Sequence, residues 1–296
     1  MASRLRLAGV LTLGVVAISG AAVLVRFAQA PALSVAAGRM VLAALVVLPF
    51  AALRSRAEWA SFDRGTWTRL ILSGACLGLH FAFWISSLER TTVASSVLFV
   101  TTNPIWTGIA GHALLGERLT RGQLAGIVAA IAGACVIGGA DLALGGRAFA
   151  GDALALAGAW MASAHYLLGR VARRRVSLLA YVGATYAVAA IVLIALALAF
   201  GAPFLDLSPR ALACIAALAL GPQLLGHSSF NWALRYLSAT LIAVAILAEP
   251  VGATLLAAIV LHEPPTAAQL AGGALVLAGI AVTARAASGA PKPVPV

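Results

Sequence analysis

The chain has 296 residues, 62% of them hydrophobic and 10% charged, with a net charge of +11 and a mean hydropathy of +1.02. A soluble fold of this length cannot bury so much apolar surface, so the composition excludes a water-soluble domain and places the chain in a lipid bilayer. Nucleic acid is not an expected partner: no basic stripe is interleaved with aromatics, and membrane proteins collect Lys and Arg for topological reasons.

Ten apolar segments of spanning length follow one another, at 7–25, 33–53, 68–88, 92–115, 122–140, 153–169, 177–200, 211–234, 237–261 and 267–284. Arg4 and Arg6 before the first, with Ala28-Gln29-Ala30 after it, imitate a cleaved signal peptide. An uncleaved helix is the preferred reading, because the run is long enough to span and its loss would leave one repeat a helix short. In the second segment Arg39 lies roughly two turns from the end and is expected to snorkel outward or to pair with Glu89, Asp141 or Glu263, the alternative being attraction of a carboxylate solute.

The third segment puts His80 and Trp84 on one helix face, and the fourth brings Phe99, Thr101 and Asn103 to a similar depth. The sixth adds Trp160 and His165. Together they would line an aromatic and imidazole cavity suited to a flat apolar side chain, with Trp available to an amine; plain helix packing is the alternative. In the eighth segment His227, Ser228, Ser229 and Asn231 form the most polar patch. Gly-His-Ser-Ser invites a hydrolase reading, but no carboxylate is spaced to orient the His and no nucleophile elbow surrounds the Ser.

Glu249 in the ninth segment is the carboxylate deepest within an apolar span. A charge there costs about 2.5–3.5 kcal/mol on insertion scales, so it needs a partner, a wet cavity or a proton. Pro104 and Pro250 each remove a backbone donor and are expected to kink their helices. Gly74/Gly78 and Gly122/Gly126 permit close helix approach, compatible with a monomer or a weak homodimer. Cys76, Cys135 and Cys214 lie in apolar runs without metal-type neighbours; neither metal nor cofactor is expected. The tail, residues 286–296, is Pro-rich and expected to be disordered.

One stretch occurs twice. Asn103-Pro104, Glu117, Thr120, Gln123, Gly126 and Gly133 recur as Glu249-Pro250, Glu263, Thr266, Gln269, Gly272 and Gly279, at a constant offset of 146 (249 − 103). That interval contains five segments, and an odd number inverts the second copy. The expected fold class is therefore an all-α integral membrane protein of ten transmembrane helices in two inverted five-helix repeats, residues 1–145 and 146–285. With the N-terminus inside, fifteen of the 20 basic residues fall on the cytoplasmic side and four outside, with Arg39 within a helix; both termini are expected in the cytoplasm.

The Glu-x-x-Thr-x-x-Gln-x-x-Gly run entering a Gly-rich fifth helix, present in both halves, resembles the EamA domain of the drug/metabolite transporter superfamily. The resemblance implies a ten-helix exporter of small metabolites in the inner membrane, not an enzyme. General likeness in helices 3 and 4 extends to the YddG-type exporters of aromatic and other amino acids. Asn103 stands where the second unit has Glu249, which leaves one central carboxylate and puts a two-acid coupling scheme in doubt. The expected activity is export of aromatic or apolar amino acids, or related metabolites, by alternating access; a drug exporter, a channel or a membrane enzyme are the alternatives.

Overall fold

A computed structural model describes residues 4–115, 120–203 and 206–288, and every regular element among them is helical. Helices α1 (Arg4–Ser19) and α2 (Ala21–Ala28) meet at Gly20, followed by α3 (Ala32–Arg54), the short α4 (Arg56–Ala60) and α5 (Arg64–Ser87). Then come α6 (Val93–Val100), α7 (Asn103–Leu115), α8 (Arg121–Leu144), α9 (Gly146–Ala172) and α10 (Leu178–Ala199). The remainder is α11 (Pro209–Leu218), a π-helical stretch Ala219–His227, α12 (Ser228–Ala233), α13 (Ala239–Ala245), a 3-10 turn Ile246–Ala248, α14 (Glu249–Leu256), a second π stretch Ala257–Leu261, and α15 (Ala267–Ser288).

Among the described residues, six helical runs are long and apolar enough to cross a membrane: Leu5–Ala28, Ala32–Arg54, Arg64–Ser87, Val93–Gly111, Leu178–Ala199 and Pro209–Ala233. Arg121–Ile137, Glu249–Leu261 and Ala267–Gly279 are shorter apolar helices. The 27-residue α9 is long enough but falls outside the apolar set, carrying Asp152, His165 and Tyr166 along its length.

The two prolines interrupt their helices where a kink was expected. Pro104 has no amide proton to offer the Val100 carbonyl, and the chain turns through Thr101 and Thr102. The Thr102 amide donates to the Phe99 carbonyl at 3.1 Å, and the Ile105 amide to Thr102 at 2.9 Å. In the second half the 3-10 turn Ile246–Ala248 occupies the matching place. Consequently α7 and α14 start at equivalent residues, Asn103 and Glu249.

The repeated Thr-x-x-Gln is a reciprocal cap. The Thr120 amide donates to Gln123 Oε1 at 2.7 Å and the Gln123 amide to Thr120 Oγ1 at 3.2 Å; for Thr266 and Gln269 the same distances are 3.0 and 3.2 Å. Two orphan donors are thereby satisfied at the start of α8 and of α15. Residues 116–119, including Glu117 of the first copy, and the tail beyond Ser288 lie outside the described residues.

Packing repeats the symmetry. A Cβ on Gly133 would lie 2.5 Å from the Gly272 carbonyl oxygen, and one on Gly279 2.5 Å from that of Gly126. Gly126 and Gly272 are themselves repeat partners, so α8 and α15 cross reciprocally, as elements related by a pseudo-two-fold axis do. Gly74 and Gly78 likewise seat α5 against the Thr185 and Ala189 carbonyls of α10. The largest apolar cluster joins α2, α3, α5 and α10, while Leu45, Val128, Ile191 and Ile259 form part of an exposed apolar exterior.

Candidate solute-binding site

The start of α5 is set by Asp63, which accepts from the Thr66 amide at 2.8 Å; bonds from Thr66 hold this exposed carboxyl below its ordinary range. Four turns further on, α5 delivers His80 and Trp84, one turn apart, their rings 6.1 Å apart and nearly parallel at 2°. Opposite them the two interrupted helices present Thr101, Asn103 and Glu249, and the π stretch presents His227. These six residues line a central cavity of about 30 Å³, closed by Ile18, Ala21, Val100, Ala162, Tyr166 and Ile246. Such a volume holds about one water molecule and no amino acid.

His80 Nδ1 lies 3.0 Å from the Gly158 carbonyl, and the Thr101 hydroxyl is spent on the Val97 carbonyl at 2.7 Å. Several other polar atoms have no hydrogen-bond partner among the described residues: Trp84 Nε1, Asn103 Oδ1 and His227 Nδ1, each belonging to a cavity residue. Buried groups of this kind are rarely left unmade in proteins, so these three atoms are candidates to meet a polar solute. Glu249 is buried in the first turn of α14, where the positive end of the helix dipole favours a negative group.

Behind the cavity runs a buried polar chain. The Tyr181 hydroxyl lies 2.7 Å from Ser73 Oγ, Ser73 Oγ 2.9 Å from His165 Nδ1, and His165 Nε2 3.3 Å from Asn231 Oδ1. Asn231 Nδ2 continues to Tyr186 at 3.5 Å, and the Tyr186 hydroxyl to Ser228 Oγ at 2.9 Å. His165 and Asn231 thus sit in this chain beside the cavity rather than in its wall. Ser228 is engaged by Tyr186, not by its neighbour His227, so these two do not form a dyad.

Two expected lining residues lie elsewhere. Phe99 joins Leu98, Ile137 and Ala155 in a separate apolar cluster. Trp160 is 46% exposed and stands edge-on to Trp106 in a lateral groove of about 570 Å³ between α7 and α9, which is walled almost wholly by apolar side chains. Pro250 borders a second apolar groove of about 300 Å³ against α6 and α15, while Pro104 is buried. The expectation for Arg39 is corrected: its side chain is fully buried and donates to Gln223 Oε1 at 2.9 Å. Glu89 instead accepts from the Ala32 amide at 2.7 Å, and Glu263 pairs with Arg26 at 3.1 Å; the Asp141 side chain is outside the described set.

Tyr166 was missed in the wall. Its signal was the spacing from Ala162, which puts both on one face of α9, about 100° away from His165. Asp152 was also missed: it is buried near the start of α9, accepting from Ser95 at 2.6 Å and Thr91 at 3.1 Å, and ties α9 to the start of α6.

A family model described as the EamA-like transporter family matches the chain twice, at residues 7–139 and 149–285. A solved crystal structure, described only as that of a protein, superposes with a TM-score of 0.68 at 22% identity, covering 95% of this chain and 96% of the other. At that identity the likeness shows the fold. No curated protein matches.

Proposed function

Because the chain belongs to the EamA-like transporter family, we propose that it exports aromatic or apolar amino acids, or related small metabolites, across the inner membrane by alternating access. In this reading the helical runs make ten passes, two inverted units of five, with both termini in the cytoplasm. The membership itself supports a multi-pass membrane transporter of small molecules.

The observation that carries the proposal is the cavity at the junction of the two halves, where Asn103 and Glu249 begin α7 and α14. Interrupted helices whose N-terminal ends meet at a transporter's centre expose backbone and side-chain polar groups to a solute without exposing them to lipid. Glu249 serves as the proton or ammonium site, His80 and Trp84 as the flat wall for the solute's side chain. His227 and Asn103 supply polar contacts, and His165 and Asn231 hold that wall in place. Pro104 and Pro250 keep the two interruptions open.

Counterflow in proteoliposomes against an amino-acid panel tests this directly. Saturable exchange of aromatic amino acids is expected, dependent on pH; Glu249→Gln should reduce it at least about tenfold and remove the pH dependence. Unchanged exchange and pH profile in Glu249→Gln would exclude the role given to Glu249, and electrical conductance without counterflow would make the protein a channel.

A further inference from the structure

Arg39 is the interior residue whose position costs most and explains least. The guanidinium is fully buried, lies 4.1 Å over the Phe81 ring, and spends one Nη2 proton on Gln223. Its Nε and Nη1, and Gln223 Nε2 beside it, have no partner among the described residues. An arginine placed only to hold helices together would recover its desolvation by bonding to carbonyls, so donors left unmade at such depth point to a ligand. Gln223 takes one of the two Nη2 protons. One full edge of the fork, Nε with Nη2 or Nη1 with Nη2, therefore stays free, and either edge matches a carboxylate with two parallel bonds.

The opposite charge is close but not in contact. Arg39 is within electrostatic reach of Glu249, yet the two do not meet within 4 Å. Arg39 stacks on Phe81, whose ring centroid lies 4.8 Å from that of His80 and 5.1 Å from that of His227, two residues of the cavity wall. A 30 Å³ cavity has to expand to admit any solute, and the fork reaches it only if these rings move aside. We infer that Arg39, backed by Gln223, is a carboxylate subsite, so that the solute is a zwitterion held between this fork and Glu249. This rests on the carrier reading above and adds the substrate's charge pattern to it.

The test is the ligand-induced thermal shift of the purified protein, which needs no turnover and reports folding of each variant. Three probes share one ring: L-phenylalanine, phenylethylamine without the carboxylate, and 3-phenylpropionate without the amine. Wild-type protein is expected to bind phenylalanine at least about tenfold more tightly than phenylethylamine, and Arg39→Gln to erase that preference while phenylethylamine binding persists. Preserved preference in Arg39→Gln overturns the subsite. Equal wild-type binding of phenylalanine and phenylethylamine overturns the subsite alone and leaves amino-acid export standing. Binding of 3-phenylpropionate alone overturns amino-acid export and keeps the subsite; binding of none overturns both. Should Arg39→Gln fail to fold, Arg39→Lys decides: it retains the charge but loses the fork, and must weaken phenylalanine selectively.

Discussion

Arg39 and Glu249 share one low-dielectric interior and are treated differently by it. Glu249 borders the cavity at a helix start, whereas Arg39 stands a layer behind it, stacked on Phe81. Each alone carries an insertion cost of about 2.5–3.5 kcal/mol, which a bridging zwitterion would offset on both sides at once. Trp84 acts at the same scale. Its face stacks on His80 while its indole nitrogen has no partner among the described residues, so ring and donor are both available to a solute. Trp84→Ala is expected to cost about 3 kcal/mol of stability and to shift preference towards bulkier side chains. An unchanged rank order across the amino-acid panel would reduce Trp84 to packing.

At the scale of elements, the repeated motif divides into capping and contact. Its Thr and Gln start α8 and α15, and its glycines let those helices cross at backbone distance. Gly133→Ala and Gly279→Ala each drive a Cβ against a carbonyl that cannot rotate away. Each is expected to lower stability by about 1–3 kcal/mol in a denaturation series. Gly146→Ala, whose Cβ meets nothing within 4 Å, is the control and should stay within about 0.5 kcal/mol of wild type. Equal tolerance at all three positions would refute a close α8–α15 seam. The lone Pro222 shapes another element: it sits inside the π stretch that carries both Gln223, towards Arg39, and His227, towards the cavity. Such π segments recur where function requires a helix to present side chains off its regular register.

For the whole molecule, polar contacts tie the helices together at two places away from the cavity. At the first, Arg26 pairs with Glu263, Glu263 accepts from the Val93 amide at 3.2 Å, and Gln269 donates to Thr92 at 2.8 Å. At the other, Arg170 donates to the Leu234 carbonyl at 2.7 Å and Arg173 to that of Asn231 at 3.0 Å. The halves are nevertheless unequal. Trp106 stands beside an open groove, whereas its repeat partner Gly252 is packed on α1, where an added Cβ would lie 3.0 Å from Ser19 Cβ. In the proposed alternating-access cycle the α1–α14 contact would part while the other half closes. With Cys76, Cys135 and Cys214 replaced, a Ser19→Cys/Gly252→Cys pair, once the two helices give by about 0.5 Å to reach disulfide spacing, is therefore expected to oxidise and stop counterflow, with full recovery on reduction. Transport that continues in the cross-linked protein would rule out movement at this contact.

Much of this was readable along the chain. The bilayer followed from composition and the interruptions from two prolines at one offset, because each depends on residues near one another in sequence; that the repeated Thr-x-x-Gln caps its helices was local too, but only the structure brought it out. Six of the lining residues, among them His80, Asn103 and Glu249, were legible through depth and periodicity. Phe99, Trp160, His165 and Asn231, expected in the wall by the same means, lie outside it. Periodicity says which residues share a helix face, but packing decides where that face points, and a rotation of about 100° exchanges His165 for Tyr166. The sequence by itself determined the membrane, the duplication and the two helix breaks, all of which rest on local chemistry. Only the tertiary structure decided that Arg39 meets Gln223 rather than a carboxylate, since that contact spans 184 residues and depends on a π stretch that no local pattern announced.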